Sequence, residues 1–344
     1  MRRAILLLLA IVVILVLALL VVALRSPPVI LLLLGWLLLT TLQNSTPLVL
    51  TALGGMFSER SGVVNIGLEG IMLMGAFSAV ATSWFTNDPW LGVLAGVLSG
   101  GLLAGVHAIV CVRLKGNQIV SGTGVILFAS GFTTLMLWVI WGTKGTSDSV
   151  ARVPDLYFPG LEQIPIIGGI ARLSPIVYLM FVIVVVSWYV LYHTSFGLRL
   201  RAAGEDPSTL DSAGVSVDKM RFAGVIISGL LGGLGGAYLS IGFESQFGKL
   251  MTNGRGFIAL AALIFGNWTP LGCLIAGVLF GFLTGFQYLV QIMTGIDPGF
   301  AWLGDYSYFI QMIPYVLVVV ALAGIRRSIP PKAVGTAYEK EATA

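Results

Sequence analysis

Residues 57–75 read FSERSGVVNIGLEGIMLMG and bring Ser58, Glu59, Arg60, Asn65 and Glu69 together in a chain whose other long apolar runs carry almost no charge. A carboxylate at membrane depth is costly, so it needs a pathway, a partner or an aqueous cavity. Asn65 brings two donors and an acceptor, and an ionised Glu69 accepts. If the stretch continues as a helix, Ser61, Asn65 and Glu69 fall at i, i+4 and i+8 on one face, while Gly62, Gly67 and Gly70 interrupt helical propensity. Half-polar, glycine-interrupted segments commonly line solute sites inside membranes. The bland alternatives are that Glu59 and Arg60 pair with each other at the membrane boundary, and that Glu69 bonds neighbouring backbone. Asn253, Arg255 and Asn267 bracket a short apolar piece and form a second candidate group.

Other chemistries find little support. Gly242 to Lys249 comes nearest to a phosphate-binding loop, but its spacing is one residue too long and Leu250 stands where Ser or Thr is required. His107 and His193 are isolated, so no nucleophile, base and orienter set is evident, and enzymatic activity is not expected. Cys111 and Cys273 sit in apolar runs and read as packing residues, with no disulfide framework and no metal site. No cofactor is indicated.

The elements that must position these residues follow from composition. Hydrophobic residues are 57% and charged residues 10% of 344, with mean hydropathy +0.97, against about 25% charge in soluble domains. The chain therefore reads as an all-α polytopic membrane protein of the cell membrane. Its 44 glycines suit close helix packing in lipid. The net charge of +4 sits at segment ends, which marks topology and not nucleic-acid binding. Ten crossings are expected: 4–24, 29–53, the central stretch to about 85, 90–112, 118–141, 174–192, 221–243, a short piece 255–266, 271–293 and 306–324. At about 12 residues the eighth is short for a full crossing and reads as a half-helix or broken span. Residues 1–28 form an anchor helix, 29–327 the main domain and 328–344 a polar tail. With the amino end inside, 13 of the 19 Lys and Arg residues lie inside and 6 outside, so both ends are expected in the cytoplasm, the 142–173 loop outside and the 193–220 stretch inside. Leu91-Gly92, Leu94, Gly101, Leu103, Gly105 and Val110 recur 180 residues later, from Leu271-Gly272 to Val290. An offset of five spans is the inverted 5+5 plan of many transporters.

The 193–220 stretch contains a second legible element. Asp206 is a good N-cap, Pro207 suits the first helical turn and Gly214 is a natural stop. Leu210 and Ala213 then share an apolar edge that a partner groove or lipid headgroups could receive. Two turns are not stable alone.

Residues 58–75, centred on Asn65-Ile66-Gly67-Leu68-Glu69-Gly70, together with residues 197–207, GLRLRAAGEDP, resemble the permease subunits of bacterial ABC importers. The group is the one handling branched-chain amino acids, ribose-type sugars and nucleosides. The nucleoside branch is nearest, because the ribose branch usually carries an aspartate-centred sequence at Asn65 to Gly70. The likeness runs from about Gln43 to Arg327. It implies two cytoplasmic ABC ATPase subunits, a second homologous permease that makes a heterodimer, and an external substrate-binding lipoprotein. It implies too that Arg201, Gly204, Glu205, Asp206, Pro207, Leu210, Ala213 and Gly214 form the element that docks into the ATPase. The solute is small and polar, with Phe57, Asn65, Glu69, Met72, Asn253 and Arg255 as pathway candidates. Asn65 and Glu69 would suit ribose hydroxyls or base edges, and Phe57 and Met72 would pack a flat base. The alternative is a secondary transporter or facilitator driven by an ion gradient, with Glu69 as proton carrier.

Overall fold

The structure, a computed structural model, describes residues 27–164, 167–296 and 329–339, with Phe309, Met312, Tyr315 and Val316. The expected first span at 4–24 and the basic pair Arg326-Arg327 lie outside the described residues, as does the tenth at 306–324 apart from those four residues. Chain contacts separate two units, one of residues 46–154, 174–277 and 329–344, the other of 1–45, 155–173 and 278–328.

Among the described residues seven helices are long and apolar enough to cross a membrane. They are α1 (Pro27–Arg60), α2 (Leu68–Thr86), α3 (Pro89–Ala108, continued by a π turn Ile109–Arg113), α4 (Gln118–Trp141), α5 (Pro175–His193), α8 (Val217–Ala237, continued by a π turn Tyr238–Glu244) and α10 (Pro270–Ile296). These are the expected second to seventh and ninth spans. The shorter helices are α6 (Ser195–Glu205), α7 (Pro207–Ser212) and α9 (Arg255–Phe265). Starts follow local chemistry. Asp88 caps α3 through the Trp90 and Leu91 N–H groups with Pro89 in the first turn, and Asn117 caps α4 through Ile119 and Val120.

In the larger unit glycine decides which faces meet. On α8, Gly224, Gly232 and Gly236 are spaced by eight and four residues, where an added Cβ would press on the Phe57 carbonyl, Ile71 and the Met72 carbonyl respectively. The neighbouring stripe, Gly229 and Gly233, meets Gly100, Gly96 and Gly75 backbone. Small residues at this spacing let helices pack backbone to backbone where burial of apolar surface supplies no net drive in lipid. The opposite face of α3 exposes Leu94, Leu98, Leu102 and Val106, the stripe a lipid-facing helix presents.

The 142–173 stretch is not one free loop. Ser147, Val150 and Val153 N–H groups donate to Phe247, Ser245 and Ile241 carbonyls at 2.8, 2.9 and 3.0 Å, so 145–153 is laced to the end of α8. Residues 155–173 belong to the other unit and carry a two-residue hairpin, β1 (Leu156–Tyr157) with β2 (Arg172–Leu173). There Arg172 lies over the Tyr157 ring at 4.5 Å and pairs with Glu162 at 3.4 Å. In the same unit the α1 run Thr40, Thr41, Asn44 and Ser45 is buried, with each side chain bonded to a carbonyl one turn back, and Gly281 and Gly285 of α10 approach Ser45 and Thr40.

Candidate functional site

Residues 61–67 are not helical. The chain leaves α1 after Arg60, turns through Gly62 at φ +100° and re-enters helix at Leu68. The expectation that Ser61, Asn65 and Glu69 share one helical face is corrected accordingly. Ser61 is in the turn, Asn65 in the unwound segment and Glu69 in the first turn of α2. Unwound backbone inside a membrane protein must find its hydrogen bonds in protein, and side chains supply them here. Ser58 Oγ donates to the Val63 carbonyl at 2.7 Å. The Val64 N–H donates to Gln118 Oε1 at 2.6 Å, and the Val64 carbonyl accepts from His107 Nε2 at 3.1 Å, whose Nδ1 meets Ser121 Oγ at 2.9 Å. Far from isolated, His107 joins α3 and α4 to the break.

A second break runs from Ser245 to Gly254, where Ser245, Leu250, Asn253 and Gly254 all take positive φ. It leads into α9, which at 11 residues is about 16 Å long and cannot cross ~30 Å of hydrocarbon alone. The whole segment nonetheless runs from one end of the bundle to the other. Its start is bound to residues 145–153, as above, and its far end reaches Arg60 and the 329–339 segment through Trp268 and Asn267. The segment expected as the eighth crossing is therefore a loop followed by a half-length helix.

The two breaks meet at Glu69. Its Oε1 accepts the Gly254 N–H at 2.8 Å and its Oε2 the Gly256 N–H at 2.6 Å, so the carboxylate caps α9, where a negative charge is favoured by free N–H groups and the helix dipole. Gly256 is required by this approach, since a Cβ there would lie 2.5 Å from Glu69 Cα. Of the sequence candidates, Glu69, Asn253 and Arg255 are brought together, and the others are not. Phe57, Asn65 and Met72 are buried and strung along α8, at Gly224, Ser228 and Gly236. Asn65 Nδ2 donates to Ser228 Oγ at 3.0 Å, and its buried Oδ1 has no hydrogen-bond partner among the described residues. Arg255 lines a cavity of about 190 Å³ with Leu239, Glu244, Gln246, Gly248 and Met251. Sequence reasoning missed Glu244, at the end of the π turn that continues α8, and Gln246 in the loop after it.

At the other end of α9 the chain passes through Asn267 and Trp268, both at left-handed φ (+54° and +52°). Such non-glycine residues cost of order 1–3 kcal/mol each, and three hydrogen bonds hold them. Arg60 Nε donates to the Trp268 carbonyl at 2.8 Å, Trp268 Nε1 donates to Glu59 Oε2 at 2.5 Å, and Asn267 Oδ1 accepts the Ile329 N–H at 2.9 Å. The alternative reading, a Glu59–Arg60 pair, is not what forms: Glu59 accepts from Trp268, and Arg60 faces Glu205 at 3.7 Å.

Asp206 caps α7 as expected, accepting from the Thr209 N–H and from Ser208 and Thr209 hydroxyls; these hold its carboxyl down at about 2. Gly214 ends the turn at φ +78°, and Pro207 opens it. Leu210 is corrected: it is buried in the chain's own cluster with Ala203 and Val217, flanked by Tyr338, and leaves Ala213 exposed alone. Gly204 lies against the Arg60 carbonyl with no room for a Cβ, Glu205 is half exposed, and Arg201 stacks over Tyr192 at 5.1 Å. The segment 329–339 runs across this end. Ala333 and Gly335 N–H groups donate to Gly204 and Gly62 carbonyls at 2.8 and 3.0 Å, and Arg221 donates to the Thr336 carbonyl at 2.7 Å. Among the described residues no three His, Cys, Asp or Glu side chains converge on a metal position.

Residues 37–322 match the family model described as branched-chain amino acid transport system, permease component. The chain is 41% identical to the nucleoside ABC transporter permease protein NupC of Lactococcus lactis subsp. cremoris, over 86% of this chain and 94% of that protein. It is 40% identical to the guanosine ABC transporter permease protein NupQ of Bacillus subtilis, over 87% and 95%. It is 35% identical to the putative glucose ABC transporter permease protein TsgC13 of Haloferax volcanii, over 89% and 98%. No solved structure matches.

Proposed function

The chain belongs to the branched-chain amino acid transport system permease family, as a multi-pass permease subunit of an ABC importer in the cell membrane, and from that premise we propose that the solute it passes is a nucleoside. The observation that carries this is its likeness, over most of its length, to permeases named for nucleosides and for guanosine. The cavity at the head of α9 suits such a solute. Arg255, Glu244 and Gln246 offer donors and acceptors for sugar hydroxyls and base edges, and Met251 and Leu239 an apolar floor. In this reading Arg255 and Asn253 meet the solute first, and Glu69 fixes the junction between the break that holds Asn253 and the helix that starts at Arg255. Asn65 Oδ1 is the acceptor left for a passing hydroxyl, with Phe57 and Met72 walling the route along α8. ATP is hydrolysed on separate cytoplasmic ATPase subunits, which bind the exposed residues around α7. A second homologous permease completes the pore, and an external lipoprotein delivers the solute. Ten crossings with both ends in the cytoplasm and an inverted 5+5 repeat fit the recurrence of one element order: helix, break, shorter helix, tight turn and glycine-rich helix, as α1-α2-α3 and as α8-α9-α10.

The test is uptake by the complete complex in proteoliposomes. Guanosine entry that needs ATP, is unaffected by collapsing a proton gradient and is outcompeted by other nucleosides but not by glucose is the expected result. Entry driven by the gradient, or preference for glucose, overturns it.

A further inference from the structure

We propose that α9 is the rod through which the coupling segment, the end of α6 with α7 that is read above as the ATPase contact, moves the solute cavity, and that Glu59 and Trp268 are the positioning residues that join the rod to it. The inference rests on the importer reading above. Both ends of α9 are held by charge-assisted bonds that no local sequence rule requires. At its head, the Glu69 carboxylate grips the N–H groups on either side of Arg255, one of the cavity residues. At its foot, Trp268 is held on two sides: its carbonyl by Arg60 and its indole N–H by Glu59.

Arg60 is also the residue against which the coupling segment rests. Its guanidinium faces Glu205 at 3.7 Å and its carbonyl abuts Gly204. Glu205 and Gly204 are bound in turn to the 329–339 segment, which returns to Asn267 at the foot of α9. Any displacement of the end of α6 is thus delivered to Arg60 directly and to Asn267 by the second route. A buried, paired carboxylate and indole transmit it, because a polar group in that setting forfeits its partner only at a large cost. The rod is one helix of three turns, too short to bend appreciably. Its two-residue left-handed foot acts as a clasp, and the clasp is closed by Glu59 and Trp268.

Trp268→Phe keeps an aromatic ring, smaller than the indole, and removes the donor; Glu59→Leu removes the acceptor; Glu59→Gln keeps one. In the reconstituted complex, Trp268→Phe and Glu59→Leu are expected to lower the solute moved per ATP hydrolysed about tenfold, while ATP hydrolysis itself continues and Glu59→Gln restores the ratio. A wild-type ratio in Trp268→Phe overturns the linkage. Failure of the unaltered complex to move nucleoside on ATP would instead overturn the importer reading. Should the variants fail to assemble, spin labels at Ala213 and Phe257, both exposed, decide in the unaltered background. Their separation is expected to stay fixed between nucleotide-free and ATP-bound states, and a change of several ångströms would show that α9 does not travel with the coupling segment.

Discussion

Glu69 shows how one side chain can be conspicuous in sequence while its partner is not. A carboxylate among apolar residues signals that something must satisfy it, but the two N–H groups that do so lie 185 and 187 residues away. They belong to backbone, which carries no residue signature. The same holds for Val64, whose peptide is satisfied by His107 and Gln118. Glu69→Gln leaves a single acceptor for two buried donors and turns an amide NH₂ toward one of them. The expected loss is roughly 1–3 kcal/mol, read as a lowered melting temperature of the purified protein, together with weaker uptake. Asp206 is the opposite case, since all of its partners are within three residues and its role as a cap is legible. Its folded value near 2 lies below the unfolded carboxylate's ~3.9. The stabilisation is therefore complete above about pH 4 and lost as pH falls through 2. Hydrogen-exchange protection of residues 207–212 is expected to be flat across neutral pH and to vanish in Asp206→Ala at every pH.

Among elements, the long apolar runs away from the first break were legible to within a few residues, because crossing length and capping chemistry set their ends. The first break was not. Residues 57–75 keep a helical polarity pattern, and only the tertiary partners of Val64 and Asn65 make the unwound form the cheaper one. α6 was likewise hidden by its charge, although its apolar side, Leu200 and Ala203, is buried. Glycine carried more information than its abundance suggested. Gly236 has the Met72 carbonyl where a Cβ would go, whereas Gly124 on α4 has nothing within 4 Å. Gly236→Ala is expected to destabilise by about 1–3 kcal/mol through overpacking. Gly124→Ala should stabilise by up to about 1 kcal/mol through helix propensity alone. Thermal unfolding of the two variants in detergent separates these outcomes, and equal melting temperatures would contradict the packing scheme.

For the whole molecule, the charge balance and the larger unit's contacts make one joint statement about sides. On the orientation proposed above, the 13 to 6 excess of Lys and Arg assigns α6, α7 and the 329–339 segment to the cytoplasmic side. Independently, the bonds within this unit put α7, Gly62 and residues 329–339 at one end of its helices and residues 145–153 at the other. Cysteine labelling tests the pair without disturbing the fold, because Cys111 and Cys273 are both buried and give little background. Lys144→Cys and Ala213→Cys replace exposed residues at the two ends. On intact cells a membrane-impermeant maleimide is expected to label the first and spare the second until the membrane is opened. Labelling of both from outside would break the link between the lysine and arginine count and the sidedness of α7. The ATPase contact proposed at α7 would then be lost, and with it the proposed route of motion to the foot of α9.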